Sequence, residues 1–509
     1  VTVLLAAGII AALWASPAGA EDEASTDTPP NLVSITFRTI DGDARLRGPG
    51  LVAMADRKLT VRDAATGEAI ASLGPTGTDG IATLTEVDDA LRLTVTATAP
   101  DGYVTFPVAV NAWRAAGRTI DVPLYRSSQQ WLTWGKGLDR RRVGPAAGKP
   151  KGDPLWTIDP GNSMEFPPSV AYGTVAYGSY RGILCVNDLA TGKLRWRRHL
   201  GAPYGTSSRF ANQVAVGTWK KDGAQRAFVY YAVLTGIVGC RDLMTGEPVW
   251  EIRGAQGPGT EGAYVPFQSI ESSPLIVGDS VYFCTRYDAA KGSQAGLWAL
   301  DKRTGEVRFF RRLARTGTSK IASSPAYRSG RVFVATYDGV VCAISRWTGR
   351  ILWRKRLGGQ FYSTPAVSGS RLFIGNKSNG SVYCLDTASG RTVWRTGRLG
   401  ESVHSSPAVY GDKVFVGAGW RFYALRSTSG RVAWSRPTLW RMWGSASVLD
   451  GVVYYSCPGR TYARDVDSGR AVSLPEGIRD VGRYSPVTAN RHVIVVTGAR
   501  RFSAYLTAY

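Results

Sequence analysis

Along most of this chain, apolar and polar residues alternate in short runs, as in Val332-Phe333-Val334 and Val382-Tyr383-Cys384-Leu385. A period of two sends side chains to opposite faces of a strand, so the pattern predicts β structure. The runs recur inside one phrase: a Ser/Thr-Pro start, an alternating stretch, Asp-x-x-(Thr/Ser)-Gly or a variant of it, then an aromatic four residues after the glycine. It reads Ser273-Pro274, Asp301, Gly305, Phe309, then Ser324-Pro325, Ser345, Gly349, Trp353. It returns as Thr364-Pro365, Asp386, Gly390, Trp394 and as Ser406-Pro407, Arg426, Gly430, Trp434. A period of about 40 residues marks a repeat architecture. Asp and Thr/Ser oxygens cap a turn and Gly accepts positive φ, so each mark predicts a hairpin between a third and a fourth strand. Trp156, Trp196, Trp250, Phe309, Trp353, Trp394 and Trp434 hold the aromatic slot. Large aromatics at a fixed repeat position predict docking of one blade on the next.

Turn glycines at 192, 246, 305, 349, 390, 430 and 469 predict seven blades with their own hairpin, the last worn because Ser473 replaces the aromatic. Tyr484-Ser485-Pro486 opens an eighth unit, and Phe502-Ser503-Ala504 reads as its third strand. Pro154-Leu155-Trp156 reads as a fourth strand with nothing before it. The expected fold is therefore all-β: an eight-bladed β-propeller over 153–509, its C-terminal strands closed by the strand near Trp156. Such closure leaves no open sheet edge in the ring.

These residues resemble the pyrroloquinoline-quinone-like repeat family, with Leu297-Trp298-Ala299-Leu300-Asp301 following its blade consensus. Trp131-Leu132-Thr133-Trp134-Gly135 resembles the Trp-x-x-x-Gly lead-in before its first blade. The resemblance spans about 131–509. It implies the propeller fold and two kinds of relative, outer-membrane assembly propeller lipoproteins and quinoprotein dehydrogenases. The chain has no Leu-x-Gly-Cys lipobox, its first cysteine being Cys185, which departs from the lipoprotein members.

Strand-like alternation also runs through Val33-Ser34-Ile35-Thr36-Phe37 and Leu59-Thr60-Val61. With Thr78-Asp79-Gly80-Ile81-Ala82 and Asp101-Gly102-Tyr103, residues 32–125 resemble a carboxypeptidase-regulatory or transthyretin-like β-sandwich. Residues 1–20 are apolar and end in small residues, predicting a signal peptide cleaved after Ala20. Residues 21–31 read as a flexible leader, and 126–152 as a basic linker docking partly on the propeller. The expected location is secreted or extracytoplasmic at the cell envelope, with no stable membrane span after cleavage, and a monomer.

Composition changes this picture in two places. Lys and Arg outnumber Asp and Glu by 62 to 39, a formal charge of +23, which fits anionic partners. No nucleic-acid-reading motif accompanies it, so the expected partner is an envelope protein, a peptide or an anionic wall polymer, not nucleic acid. Cys185, Cys240, Cys342 and Cys384 hold equivalent or adjacent slots in different blades. Slots in neighbouring blades should lie farther apart than the roughly 4.4–6.8 Å between Cα atoms that a disulfide needs. The cysteines are predicted to be buried free thiols.

Chemistry is thin. The histidines, His199, His404 and His492, are scattered, and no triad, paired carboxylate, metal spacing or adjacent cysteine pair appears, so no catalytic or metal residue is nominated. The family resemblance implies, as the alternative, a pyrroloquinoline-quinone- and Ca²⁺-dependent dehydrogenase. The reading from the residues is a non-catalytic binding or scaffold protein with no cofactor. A third reading is a sensor or assembly subunit of an envelope complex. Residues three before each Ser-Pro proline, or its equivalent, should ring the channel mouth: Glu165, Glu271, Tyr362, His404 and Arg483. Tyr204, Lys320, Trp440 and Trp443 lie on loops expected at the same end. This ring is the candidate ligand-binding face.

Overall fold

The computed structural model describes residues 31–43, 52–145, 149–161, 164, 166–200, 209–288, 290, 292–314, 321–475, 478, 487–490, 492–497 and 501–507. The expected signal peptide lies outside them, as does the leader apart from Asn31. No helix among the described residues is long and apolar enough to cross a membrane.

Two four-stranded sheets form the front domain. One orders Ile81–Asp88, Leu32–Asp41, Thr119–Arg126 and Tyr103–Thr105; the other orders Ala69–Leu73, Leu59–Asp63, Arg92–Ala97 and Val108–Asn111. Ile35, Phe37, Leu59, Val61, Leu93, Val95, Val122 and Leu124 share one fully buried cluster between them.

From residue 150 the sheets follow the repeat. A typical one pairs Ala326–Arg328, Arg331–Ala335, Val340–Ser345 and Ile351–Arg356, each antiparallel to the last. Sheets of this kind occupy 169–199, 215–252, 275–314, 326–356, 366–395, 408–437 and 447–465, numbered here blades 1 to 7. Blade 7 has three strands, its fourth reduced to a bridge between Arg464 and Ala471. In blade 8 the strands Val487–Ala489, Val493–Thr497 and Phe502–Thr507 are completed by Pro150–Ile158, with Trp156 opposite Ala504. The order of strands puts the loops entering each first strand, and those joining second to third strands, at one end of the ring. That end is called the mouth.

The repeat phrase is a set of joints. Each slot aromatic lies under the next blade's turn glycine. A Cβ at Gly246 would sit 2.7 Å from Trp196, at Gly349 2.6 Å from Phe309, and at Gly430 2.6 Å from Trp394. These glycines also have positive φ, so both the turn and the close approach demand Gly. The indole N–H of Trp196 donates to Leu243 O at 2.9 Å and that of Trp434 to Val466 O at 3.0 Å, so the polar tip is satisfied in the next blade.

The Ser-Ser-Pro opening has its own work. The second hydroxyl accepts the backbone N–H of the preceding blade's equivalent residue. Ser273 N donates to Ser324 Oγ (2.9 Å), Ser324 N to Thr364 Oγ1 (3.1 Å), Thr364 N to Ser406 Oγ (2.9 Å) and Ser406 N to Ser445 Oγ (2.8 Å). The first hydroxyl ties down the blade's own second strand, as Ser405 Oγ does by accepting Gly417 N at 2.9 Å. Buried amides without partners are costly, so these hydroxyls lock the inner ring. All six cysteines are buried and free.

Residues 131–144, within the segment read as a basic linker, thread the inside of the ring. Trp131 exchanges backbone hydrogen bonds with Val170 of blade 1. The carbonyls of Leu132, Leu138, Asp139, Arg141 and Arg142 accept N–H groups of Val216, Tyr327, Val367, Val409 and Val448 in blades 2, 4, 5, 6 and 7. Thr133 Oγ1 donates to Pro274 O of blade 3 at 2.9 Å. The open inner edges of the first strands thus find their partners in one strap. The segment expected to dock partly on the propeller runs inside it over these residues, because unpaired inner edges demand backbone partners. Arg140 and Arg142 are 1% exposed. Arg140 donates to Pro325 O (2.9 Å), Thr133 Oγ1 (3.0 Å), Pro274 O (3.2 Å) and Ser273 O (3.3 Å), and to Trp134 O. Arg142 donates to Ala446 O and lies 4.2 Å over the Trp134 ring. Burial presses both guanidinium groups down from the usual arginine range to about 9, so they remain cationic at neutral pH.

The front domain meets blade 1 at the end opposite the mouth. Phe106 and Tyr125 pack against Tyr172, ring centroids 5.2 and 6.0 Å apart. Gln130 bridges the joint, its Nε2 donating to the buried Asp43 carboxylate at 3.0 Å and its Oε1 accepting Tyr172 N at 2.8 Å.

Candidate functional site

The strap closes the ring from the side of the front domain, and Trp134 forms the floor of what remains open. Above it a cavity of about 410 Å³ faces the mouth. Its wall carries Ala211, Glu271, Ala322, Tyr362, His404 and Trp443, the residues three before the Ser-Pro proline or its equivalent in blades 2 to 7. Below them come the lock hydroxyls of Ser324, Thr364, Ser406 and Ser445, with Phe166 and Arg209 completing the wall. The register is local: each chain end enters its first strand at the same depth, so one repeat offset becomes one layer of the cavity.

Of the sequence-nominated residues, Glu271, Tyr362, His404 and Trp443 meet in this cavity. Glu165, Tyr204, Lys320 and Arg483 lie outside the described residues. Trp440 is 56% exposed on the neighbouring rim, 6.2 Å from the Trp420 ring. Sequence reasoning missed Trp134, Phe166 and Arg209. The Trp-x-x-x-Gly lead-in was the available signal for Trp134, but nothing local says that this segment enters the channel.

One side of the cavity is an aromatic and cationic wall. The Tyr362 and His404 rings stack with centroids 5.4 Å apart, and Tyr337 meets Tyr362 edge-on at 5.2 Å. Lys377 Nζ lies 4.9 Å from the Tyr362 centroid and 5.7 Å from that of Tyr337, a cation–π pairing. Burial, then the charges of Lys377 and Arg441, lower the His404 pKa to about 4. His404 is therefore a neutral flat surface at physiological pH, not a proton switch. Trp134 meets Phe166 edge-on at 5.0 Å.

The donor set of the lining also bears on a quinone–Ca²⁺ pair. Ca²⁺ takes about 6–8 oxygen ligands. The described lining supplies one carboxylate, Glu271, the Tyr362 phenol, and hydroxyls of Ser324, Thr364, Ser406 and Ser445 that already accept backbone N–H groups. That set does not fit the pair.

Comparison with known proteins places this geometry. The family model described as "Outer membrane protein assembly factor BamB" matches residues 145–298 and 286–509. The chain is similar to the outer membrane protein assembly factor BamB of Legionella pneumophila (strain Paris), 25% identical over 207 residues, 41% of this chain and 47% of that one. It is also similar to the serine/threonine-protein kinase AfsK of Streptomyces griseus, 30% identical over 181 residues, 34% of this chain and 20% of that one. The matched regions span less than half the length of these two curated relatives. Among solved structures, the quinohemoprotein alcohol dehydrogenase ADHIIG of Pseudomonas putida HK5 superposes with a TM-score of 0.59 at 13% identity, covering 75% of this chain and 80% of that one. That likeness shows the fold.

Proposed function

Because this chain belongs to the outer membrane protein assembly factor BamB family, we propose that it is an extracytoplasmic binding and scaffold propeller at the cell envelope. Its working face is the mouth, and its partner is an envelope protein or peptide. One observation carries the reading: at the repeat offset where blades 2 and 4 carry Ala211 and Ala322, blades 3, 5, 6 and 7 turn Glu271, Tyr362, His404 and Trp443 toward one cavity. Tyr, Trp and Arg are the side chains that most often dominate binding energy at interfaces. The strap supports a binding role physically, since it holds the floor rigid and leaves the opposite wall to receive a side chain. Preorganisation of this kind lowers the entropy cost of association.

The test is recovery of partners on the whole chain from its own cells, with Tyr362→Ala and Trp443→Ala compared with the unaltered protein. Envelope partners recovered with the unaltered chain, and lost from both variants at unchanged melting temperature, are the expected result. Equal recovery from variants and unaltered protein would remove the mouth from the account.

A further inference from the structure

Next to the cavity, on the rim of blades 6 and 7, Trp420, Leu439 and Trp440 are 47%, 57% and 56% exposed. Trp443 joins them at 38% and also lines the cavity. Large apolar groups gathered on a surface mark an interaction site. These are not loose loop tips. Thr438 N donates to Trp420 O at 2.9 Å, Met442 N to Gly419 O at 2.7 Å, and Leu439 N to Tyr462 Oη at 3.0 Å. Thr438 Oγ1 donates to Trp440 O at 2.8 Å. The backbone therefore holds the three apolar side chains about half-exposed, the Trp420 and Trp440 rings tilted against each other with centroids 6.2 Å apart.

The charges on the same loops have one sign. The mouth-side loops of blades 5 to 7 carry Lys377, Arg398, Arg421, Arg441 and Arg460 against one acid, Glu401, which pairs with Arg441. Arg421 is adjacent to Trp420, and Arg460 lies 5.5 Å over the Tyr462 ring whose hydroxyl holds Leu439 N. Tryptophan with flanking Lys and Arg is the residue mixture of a membrane–water interface, where indole sits at headgroup level. Basic groups near an anionic leaflet add attraction that salt weakens.

We propose that this rim is a site for an anionic lipid surface, with Trp420, Leu439 and Trp440 entering the headgroup layer and the flanking arginines meeting phosphates. The contact sets the mouth toward the bilayer, where membrane-inserted envelope partners would meet the cavity. The lipid contact is independent of what the cavity holds, since Trp420, Leu439 and Trp440 are not part of its lining.

The experiment uses the whole chain with vesicles of phosphatidylglycerol or of phosphatidylcholine, at low and high salt, read by co-sedimentation and tryptophan emission. Expected is binding to phosphatidylglycerol with a blue shift, reduced by salt and weak on phosphatidylcholine. Trp420→Ala with Trp440→Ala should abolish the blue shift and most of the binding at unchanged melting temperature. Arg421→Ser should weaken binding about fivefold, the value of one cation at an anionic surface. No sedimentation with phosphatidylglycerol overturns the proposal. So does binding that the double Trp variant leaves intact. If that variant loses a protein partner while the unaltered chain ignores vesicles, the rim is a protein-docking surface and the lipid assignment is wrong.

Discussion

Replacing Arg140 by Met should loosen the whole ring. The side chain is fully buried and donates to carbonyls of blades 3 and 4 at once, namely Ser273, Pro274 and Pro325, and to Thr133 within the strap. Met keeps much of the volume but no donor, so the carbonyls of Ser273, Pro325 and Trp134 lose a charged partner, while Pro274 O keeps the Thr133 hydroxyl. Each such group left without a donor costs about 1–3 kcal/mol. Opposing this, the guanidinium is itself desolvated, which is why it is held down to about 9. Removing it relieves that burden, so the loss falls short of the full sum. Breaking a buried charged network by deleting one member typically costs about 3–5 kcal/mol, and a loss of about 3 kcal/mol is expected here. Arg140→Lys should recover only part, because one ammonium cannot serve two blades as a planar fork does. Equilibrium urea unfolding of the two variants and the unaltered chain measures this. If Arg140→Met stays within about 1 kcal/mol of the unaltered protein, the arginine is a passenger and the strap is held by its backbone alone.

Three further outcomes follow from the same contacts. Burial lifts the Asp43 pKa to about 6, against hydrogen bonds from Gln130 and Arg126 that lower it; the folded protein thus favours the protonated form. That contribution is full below the unfolded carboxyl value near 4 and is lost as pH rises through 6, a swing of about 3 kcal/mol. Asp43→Asn should flatten this window in urea titrations across that range, and parallel pH profiles for variant and parent would defeat the argument. His404 is depressed to about 4, so its stabilisation is full above the unfolded value near 6.5 and fades as pH falls toward 4; NMR titration of its ring should show no protonation between pH 6 and 8. Ser324→Ala strips the acceptor from the Ser273 amide and should cost about 1–3 kcal/mol, visible as a lower urea midpoint; an unchanged midpoint would mean that the hydroxyl ladder does not lock the ring.

The repeat was legible because its chemistry is local. A turn needs Asp and Gly within five residues, a strand needs alternation over five, and the Trp–Gly joint repeats at each period. Glu271, Tyr362 and His404 follow from the same locality, since one offset from a repeat mark returns to one depth in these blades, whereas Trp443, expected only on a loop at that end, takes the offset position of blade 7 in the folded ring. Residues 131–144 show the limit. Arg140-Arg141-Arg142 looks from sequence like a solvated basic cluster, and Arg141 is indeed paired with Asp139 beside it. Its two neighbours are buried, and acceptors of blades 3, 4 and 7 join Thr133 and Trp134 of the strap itself in making that possible. The blade acceptors lie 133 to 304 residues away along the chain, beyond any local pattern.

By itself, then, the sequence determined the strand period, the blade joints, the composite blade closed by Trp156 and the common depth of Glu271, Tyr362 and His404. All of these follow from short-range backbone chemistry repeated along the chain. Only the tertiary structure decided that a basic segment becomes the core strap, that Trp134 floors a cavity, and that Trp420, Leu439 and Trp440 gather on one exposed rim. Burial and exposure are properties of what distant segments bring together, and closing the ring is what brings them.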